Sequence, residues 1–320
     1  MSGLLGPLDR ARRPLVLGIG GGGDVVGALA TAETLRQRNG AEPVVGGVSW
    51  ERRPIDPQPG PRSAEDIEGA RELAPGVLAA GPGTRVRDSG VRFAEARMAE
   101  VLGEETVLVD GTRSPATLAY GLLAATRELG CDLVVFLDVG GDVLAHGDEP
   151  GLASPLCDSV LLAAAVHVQR SGQVPVLGAV FGIACDGELT PAEVNARFEE
   201  VAAAGGLGQP SLTMDERAAA RVEEAVAAVP TEASALALRA YRGELGEVPI
   251  RGGRRMVQLT AAAPLTTFFD PSVAVRSAAR LAAAVLDAAD LEDANEILHS
   301  LGVRTELDYE REQAHSSPGR

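Results

Sequence analysis

L-G-I-G-G-G-G-D-V-V-G-A-L-A-T-A-E-T-L, residues 17–35, is the stretch whose reading decides the fold. An apolar run ends in four consecutive glycines, Gly20 to Gly23, and Asp24 then opens an alanine-rich segment with helical spacing. A strand, a glycine turn and a helix in immediate succession form the first half of a βαβ unit. Further strands are expected at Pro14 to Gly20, Pro43 to Ser49, Thr106 to Asp110, Leu133 to Asp138 and Val174 to Phe181. These runs are nearly continuous in apolar residues, as in strands covered on both faces. The reading is an α/β, Rossmann-like fold with a mainly parallel sheet and helices on both faces.

Helix starts are marked by Ser63 with Asp66, Ser114 before Pro115, Ser154 before Pro155, Thr190 with Glu193, and Asp270 before Pro271. Residues 205–240 read as helical, and 248–269 add two or three strand-like runs that extend or flank the same sheet. No Pro/Gly/Ser linker divides the chain, so residues 13–309 form a single α/β domain, with a frayed N-terminus at 1–12 and a disordered tail at 310–320.

The net charge of −16 argues against a nucleic-acid partner, and no apolar run reaches the roughly 18 residues of a membrane span. The first residues lack the pattern of a signal peptide, so a cytoplasmic location is expected. The composition is compatible with a homo-oligomer. Cys131, Cys157 and Cys185 have neither zinc-knuckle spacing nor an even number. All 29 basic residues are arginines, which excludes a phosphate-loop lysine and Schiff-base chemistry.

Four loops carry polar chemistry. The glycines Gly20, Gly21, Gly22 and Gly23 can cradle an anion at a helix start, although Asp24 there repels phosphate and equally suits a cap. The loop W-E-R-R-P-I-D-P-Q-P-G-P-R, residues 50–62, offers Trp50 for stacking and Arg52, Arg53 and Arg62 as an anion clamp. Glu51 is its candidate ribose-binding acid. In F-L-D-V-G-G-D-V-L-A-H-G-D-E-P-G-L-A-S-P-L-C-D, residues 136–158, carboxylates crowd a glycine loop. Asp138 and Asp142 are expected to share a divalent ion, Mg²⁺ or Ca²⁺, because grouped carboxylates repel unless a cation lies between them. Gly140, Gly141, His146 and Ser154 are further ligand contacts. Cys157 with His146 forms a nucleophile pair or is simply packed. The last loop, V-F-G-I-A-C-D-G-E-L-T-P-A-E-V, residues 180–194, supplies Asp186 and Glu188. Because parallel strands deliver their C-terminal loops to one edge, Asp24, Asp110, Asp138, Asp142, Asp186 and Glu188 should face a common crevice.

The segments at 19–35, 46–62, 136–142, 147–159 and 185–191, with T-T-F-F-D-P at 266–271 and L-E-D-A-N-E-I-L-H-S-L-G-V-R-T-E-L-D-Y-E at 291–310, resemble the family called domain of unknown function 1152. The likeness spans residues 14 to 310 and brings no activity, cofactor or catalytic residue with it. From the residues themselves, the expected function is a metal-assisted hydrolase or transferase acting on a small phosphorylated, ribosylated or nucleotide-like metabolite, with Asp24, Asp186 or Glu188 as general base. The alternatives are an oxidoreductase using NAD(P) on the glycine loop and a non-catalytic nucleotide or metabolite sensor.

Overall fold

A computed structural model describes residues 3–316. Its eleven strands are β1 (Pro14–Gly18), β2 (Val44–Val48), β3 (Ile67–Ala74), β4 (Val77–Val86), β5 (Thr106–Val109), β6 (Leu133–Val139), β7 (Val176–Phe181), β8 (Leu212–Thr213), β9 (Gly246–Ile250), β10 (Arg255–Leu259) and β11 (Leu265–Phe269). Nine of them form one sheet in the order β3-β4-β5-β2-β1-β6-β7-β11-β8. The five strands read from the sequence are its centre: β2 and β6 flank β1, β5 pairs with β2 and β7 with β6, all parallel. Taken alone they follow the doubly wound order third-second-first-fourth-fifth, whose winding reverses between β1 and β6.

The helices are α1 (Gly6–Arg10), α2 (Asp24–Asn39), α3 (Ala94–Leu102), α4 (Pro115–Leu129), α5 (Pro155–Ser171), α6 (Pro191–Ala203), α7 (Glu216–Ala228), α8 (Ala233–Tyr241), α9 (Pro271–Ser277), α10 (Arg280–Ala284), α11 (Leu291–Ser300) and α12 (Glu306–Ser316). The sheet's alternation sorts them into two layers. Leu15, Leu17, Val134 and Phe136 pack with α4, α5 and α6. Val16, Leu133, Val135 and Leu137 pack with α2, α7 and α8. Since both faces are covered, every residue of β1, β6 and β7 is buried, which explains why these strands read as unbroken apolar runs.

Several expectations are corrected. Ser63 and Asp66 do form a capping box, but over a three-residue 3₁₀ turn (Ala64–Asp66) that leads into β3, and β3 and β4 add an antiparallel hairpin beside β5. The 205–240 segment is helical only from Glu216, with β8 before it. Of the late strands, β11 joins the sheet antiparallel to β7, whereas β9 and β10 form a separate pair that packs on the α8 side. Residues 6–12 are not frayed. Helix α1 buries Leu8 against α2, because an apolar side chain at the sheet's edge is worth more inside than in water. The expected tail boundary at 310 falls inside α12, whose Glu306, Leu307 and Glu310 are buried. Residues 1–2 and 317–320 of those expected tails lie outside the described residues. No described helix is long and apolar enough to cross a membrane.

Candidate functional site

The C-terminal ends of β1, β6 and β7 meet the N-terminus of α5 around a cavity of ≈ 240 Å³. Its walls carry Glu232 and six further carboxylates: Asp24, Asp138, Asp142, Asp158, Asp186 and Glu188. These six fall into two trios, Asp24 with Asp138 and Asp158, and Asp142 with Asp186 and Glu188. Within each trio the oxygens lie within 4.8 Å of one another. Each trio has the spacing that can hold a divalent cation. Asp138 and Asp142 therefore belong to different trios, and the expected shared ion between that pair is not what the grouping favours. The acids are pushed apart in sequence by the glycine loop and brought together by the winding reversal between β1 and β6.

Local structure explains each position. Asp24 turns its carboxylate back over the glycine loop, accepting from Gly20 N at 2.9 Å and Val139 N at 3.3 Å. It thereby occupies the amide that would have met a phosphate, and the cradle expected there is a cradle for a carboxylate. A β-carbon on Gly20 would lie 2.7 Å from Asp24 Oδ2 and 3.2 Å from Asp158 Oδ2, so the loop stays bare to let these acids converge. Gly21 and Gly23 also line the cavity. Gly22 does not, and its N–H donates to Trp50 O at 3.0 Å. Asp138 accepts from Gly141 N at 2.7 Å and Val143 N at 3.4 Å, which is how Gly141 contributes. Gly140 gives way to Asp186, whose Cγ would be 2.4 Å from a β-carbon there. Glu188 is fully engaged: it accepts from Ala153 N, Ser154 N and the Ser154 hydroxyl, and Arg251 lies 3.3 Å away.

Among the described residues, two fully buried oxygens of the cavity wall have no hydrogen-bond partner. Asp158 Oδ1, on a residue 3% exposed, and Asp186 Oδ1 are both buried without a hydrogen bond. An unpaired buried carboxylate oxygen is costly, so both are poised for a ligand. Burial, reinforced by Glu188, pushes Asp186 up to about 8, and burial raises Asp24 to about 7. Asp138, Asp142 and Asp158 are held well above the carboxylate range by burial first and by the neighbouring carboxylates of the cavity second.

Other expected contacts lie elsewhere. Trp50 is buried, donating its indole N–H to Glu310 Oε2 at 3.1 Å with the Arg52 guanidinium 4.3 Å over its ring, so no face is left for a base. Glu51 turns away to accept from Ala94 N at the start of α3, and burial raises it to about 7. Arg62 is locked in a buried pair with Asp56 at 2.6 Å and clamps nothing. His146 bonds Glu200 at 2.9 Å, outside the cavity wall. Asp110 is a turn acid holding Ala64 N, Thr112 N and Arg113, and it stays out of the crevice. Cys157 is 1% exposed and donates to Ile19 O at 3.0 Å. Burial drives its thiol well above the ordinary range, so the Cys157–His146 nucleophile does not form. Arg52 and Ser154 do line the cavity, whereas Arg53 lies outside its wall and faces a neighbouring concavity.

Sequence reasoning missed Asp158, Thr231, Glu232 and Arg251. Asp158 could have been found, since it is an acid in the first turn of α5, directly after the cysteine that drew attention. The other three come from the α7–α8 connection and the end of β9, distant segments without a local motif.

A family model described as Protein of unknown function (DUF1152) matches residues 15–314. The chain belongs to that family. No curated protein and no solved structure matches this DUF1152 chain.

Proposed function

We propose that this protein is a divalent-cation-dependent hydrolase or transferase acting on a small phosphorylated or nucleotide-like metabolite. The observation that carries the reading is the unpartnered Asp158 Oδ1 within a buried carboxylate trio at the winding reversal of a parallel sheet. Of the two trios, Asp24–Asp138–Asp158 is the better cation site. Arg251 already offsets charge at Glu188 in the other.

The chemistry assigned to this chain's residues is as follows. Asp24, Asp138 and Asp158 would hold the cation, which would supply Lewis-acid polarisation of a phosphoryl oxygen of the substrate. Asp186, with a free oxygen, accepts in its ionised form the proton of the attacking water or hydroxyl as its oxygen bonds phosphorus and the bond to the leaving group breaks. Glu188 is a positioning residue, because its oxygens are committed to Ala153, Ser154 and Arg251. The oxidoreductase alternative loses its ribose contact with Glu51 turned to α3.

The test is a thermal titration of the EDTA-stripped protein with Mg²⁺, Mn²⁺ and Ca²⁺, followed by turnover assays on sugar phosphates and nucleotides. A cation at a hundred times its dissociation constant adds about 2.7 kcal/mol of stability. Asp158→Asn is expected to abolish this gain while melting, metal-free, no lower than the parent. A parent that none of the three ions stabilises would overturn the cation site, and stabilisation with no turnover of any bound phosphate compound would reduce the protein to a sensor.

A further inference from the structure

A second chamber of ≈ 640 Å³ adjoins the carboxylate cavity, and the two share Arg52, Ser154, Glu232 and Arg251. Its character is the opposite. In a chain of net charge −16, six arginines line it: Arg52, Arg53, Arg251, Arg254, Arg255 and Arg304. Three glutamates face them, and each already serves the fold. Glu306 accepts from Leu156 N and Cys157 N at the start of α5 and pairs with Arg52 at 3.2 Å. Glu310 holds the Trp50 indole and Gly60 N, and Glu232 accepts from Arg251 N.

Among the described residues, no carboxylate lies within 4.0 Å of Arg53, Arg254 or Arg255. Their guanidinium groups instead donate to backbone carbonyls, of Pro57, Arg251 and Gly187 respectively. A carbonyl orients a guanidinium without neutralising it, so three fixed cations remain uncompensated around one concavity. At the boundary with the carboxylate cavity, Arg52 Nη1 is buried and has no acceptor. Planar guanidinium forks match phosphate oxygens in pairs, and a chamber of this size admits a small molecule.

From this arrangement we infer that the arginine-lined chamber is the binding site for an oligophosphate chain, so that the substrate is a di- or triphosphorylated small molecule. A single phosphate brings about −1.5 to −2 charges at neutral pH, too few for the guanidinium groups left uncompensated. A longer chain matches them and extends past Ser154 and Arg52 towards the carboxylates. Those carboxylates repel it without a cation. The substrate assignment therefore rests on the proposed function, whereas the anion site itself does not.

The experiment is calorimetric titration of the protein in EDTA with orthophosphate, pyrophosphate and inorganic triphosphate. Affinity is expected to rise at least tenfold from orthophosphate to triphosphate. Arg254→Gln with Arg255→Gln should lower triphosphate affinity tenfold or more, and Arg254→Lys should restore part of it. If the double variant melts well below the parent, Arg53→Gln takes its place with the same expectation. Asp158→Asn should leave triphosphate binding in EDTA intact, so loss of the cation response alone does not touch this site. No triphosphate binding, equal affinity for orthophosphate and triphosphate, or unchanged affinity in the arginine variants would each overturn it. Comparison with ATP then tells whether the chain is recognised alone or with a nucleoside attached.

Discussion

At the scale of single residues, the glycines around the cavity are sites of exclusion. Gly140 has φ 145°, a region that side-chain-bearing residues rarely occupy, and a β-carbon there would lie 2.4 Å from Asp186 Cγ. Gly140→Ala should destabilise the protein by about 1–3 kcal/mol from backbone strain alone and displace the Asp186 carboxylate as well. Urea denaturation measures the first effect. An unchanged midpoint would mean that the loop relaxes freely and that the close packing of Gly140 and Asp186 is not needed. Little of this was legible in advance. The glycine run and the aspartates stand out in the sequence, but whether glycine admits a ligand or a neighbouring acid depends on side chains more than forty residues away.

At the scale of elements, the central strands could be read because burial on both faces leaves apolar, β-branched text. The β3–β4 hairpin could not, since I-E-G-A-R-E-L-A has only its ends buried and three residues of V-L-A-A-G-P-G-T-R-V are exposed around its two glycines. The arginine loop was misread for another reason. Trp50, Arg52 and the backbone at Gly60 are held by Glu306 and Glu310 of α12, some 250 residues further along. Helix α12 also governs α5. Ser154 makes no capping bond, and Glu306 takes over by accepting from Leu156 N and Cys157 N at 3.0 and 2.9 Å. Glu306→Ala should cost about 2 kcal/mol or more, the upper range for losing a cap, because the largely buried pair with Arg52 is lost with it. Glu306→Gln retains the acceptor and should recover most of it. Melting temperatures of the two variants decide, and equal losses would assign the effect to charge instead of capping.

For the whole molecule, the dominant energetic fact is an interior crowded with raised carboxyl groups. Asp24 and Glu51 at about 7 and Asp186 at about 8 bind protons in the folded state that the unfolded chain releases near pH 4. Between about pH 4 and 8 the native state holds more protons, so stability falls as pH rises through that window. Each pKa unit corresponds to about 1.4 kcal/mol of preference for the protonated form. In EDTA, the melting temperature should therefore fall from pH 5 to 8, and Asp24→Asn should flatten the slope, which surface repulsion alone would leave unchanged. A melting temperature that rises over this range contradicts the protonated interior. Saturating Mg²⁺ should remove the share of Asp24 by taking its proton's place and leave that of Glu51.

The positions that build the two chambers run from Gly20 to Glu310, with contributions from β1, β2, β6, α5, β7, the β9–β10 pair and α12. Such a site has very high contact order, and its last wall is supplied by residues made almost three hundred positions after its first. While this chain is being synthesised, every nascent form shorter than 306 residues lacks Glu306 to secure α5, and those shorter than 251 also lack Arg251 to moderate the carboxylates. If the two chambers bind ligand as proposed, a chain that ends before α12 does not capture it early, and binding would report completion of translation through α12. A ribosome-bound fragment ending before residue 300 should bind neither cation nor oligophosphate at the affinity of the finished fold.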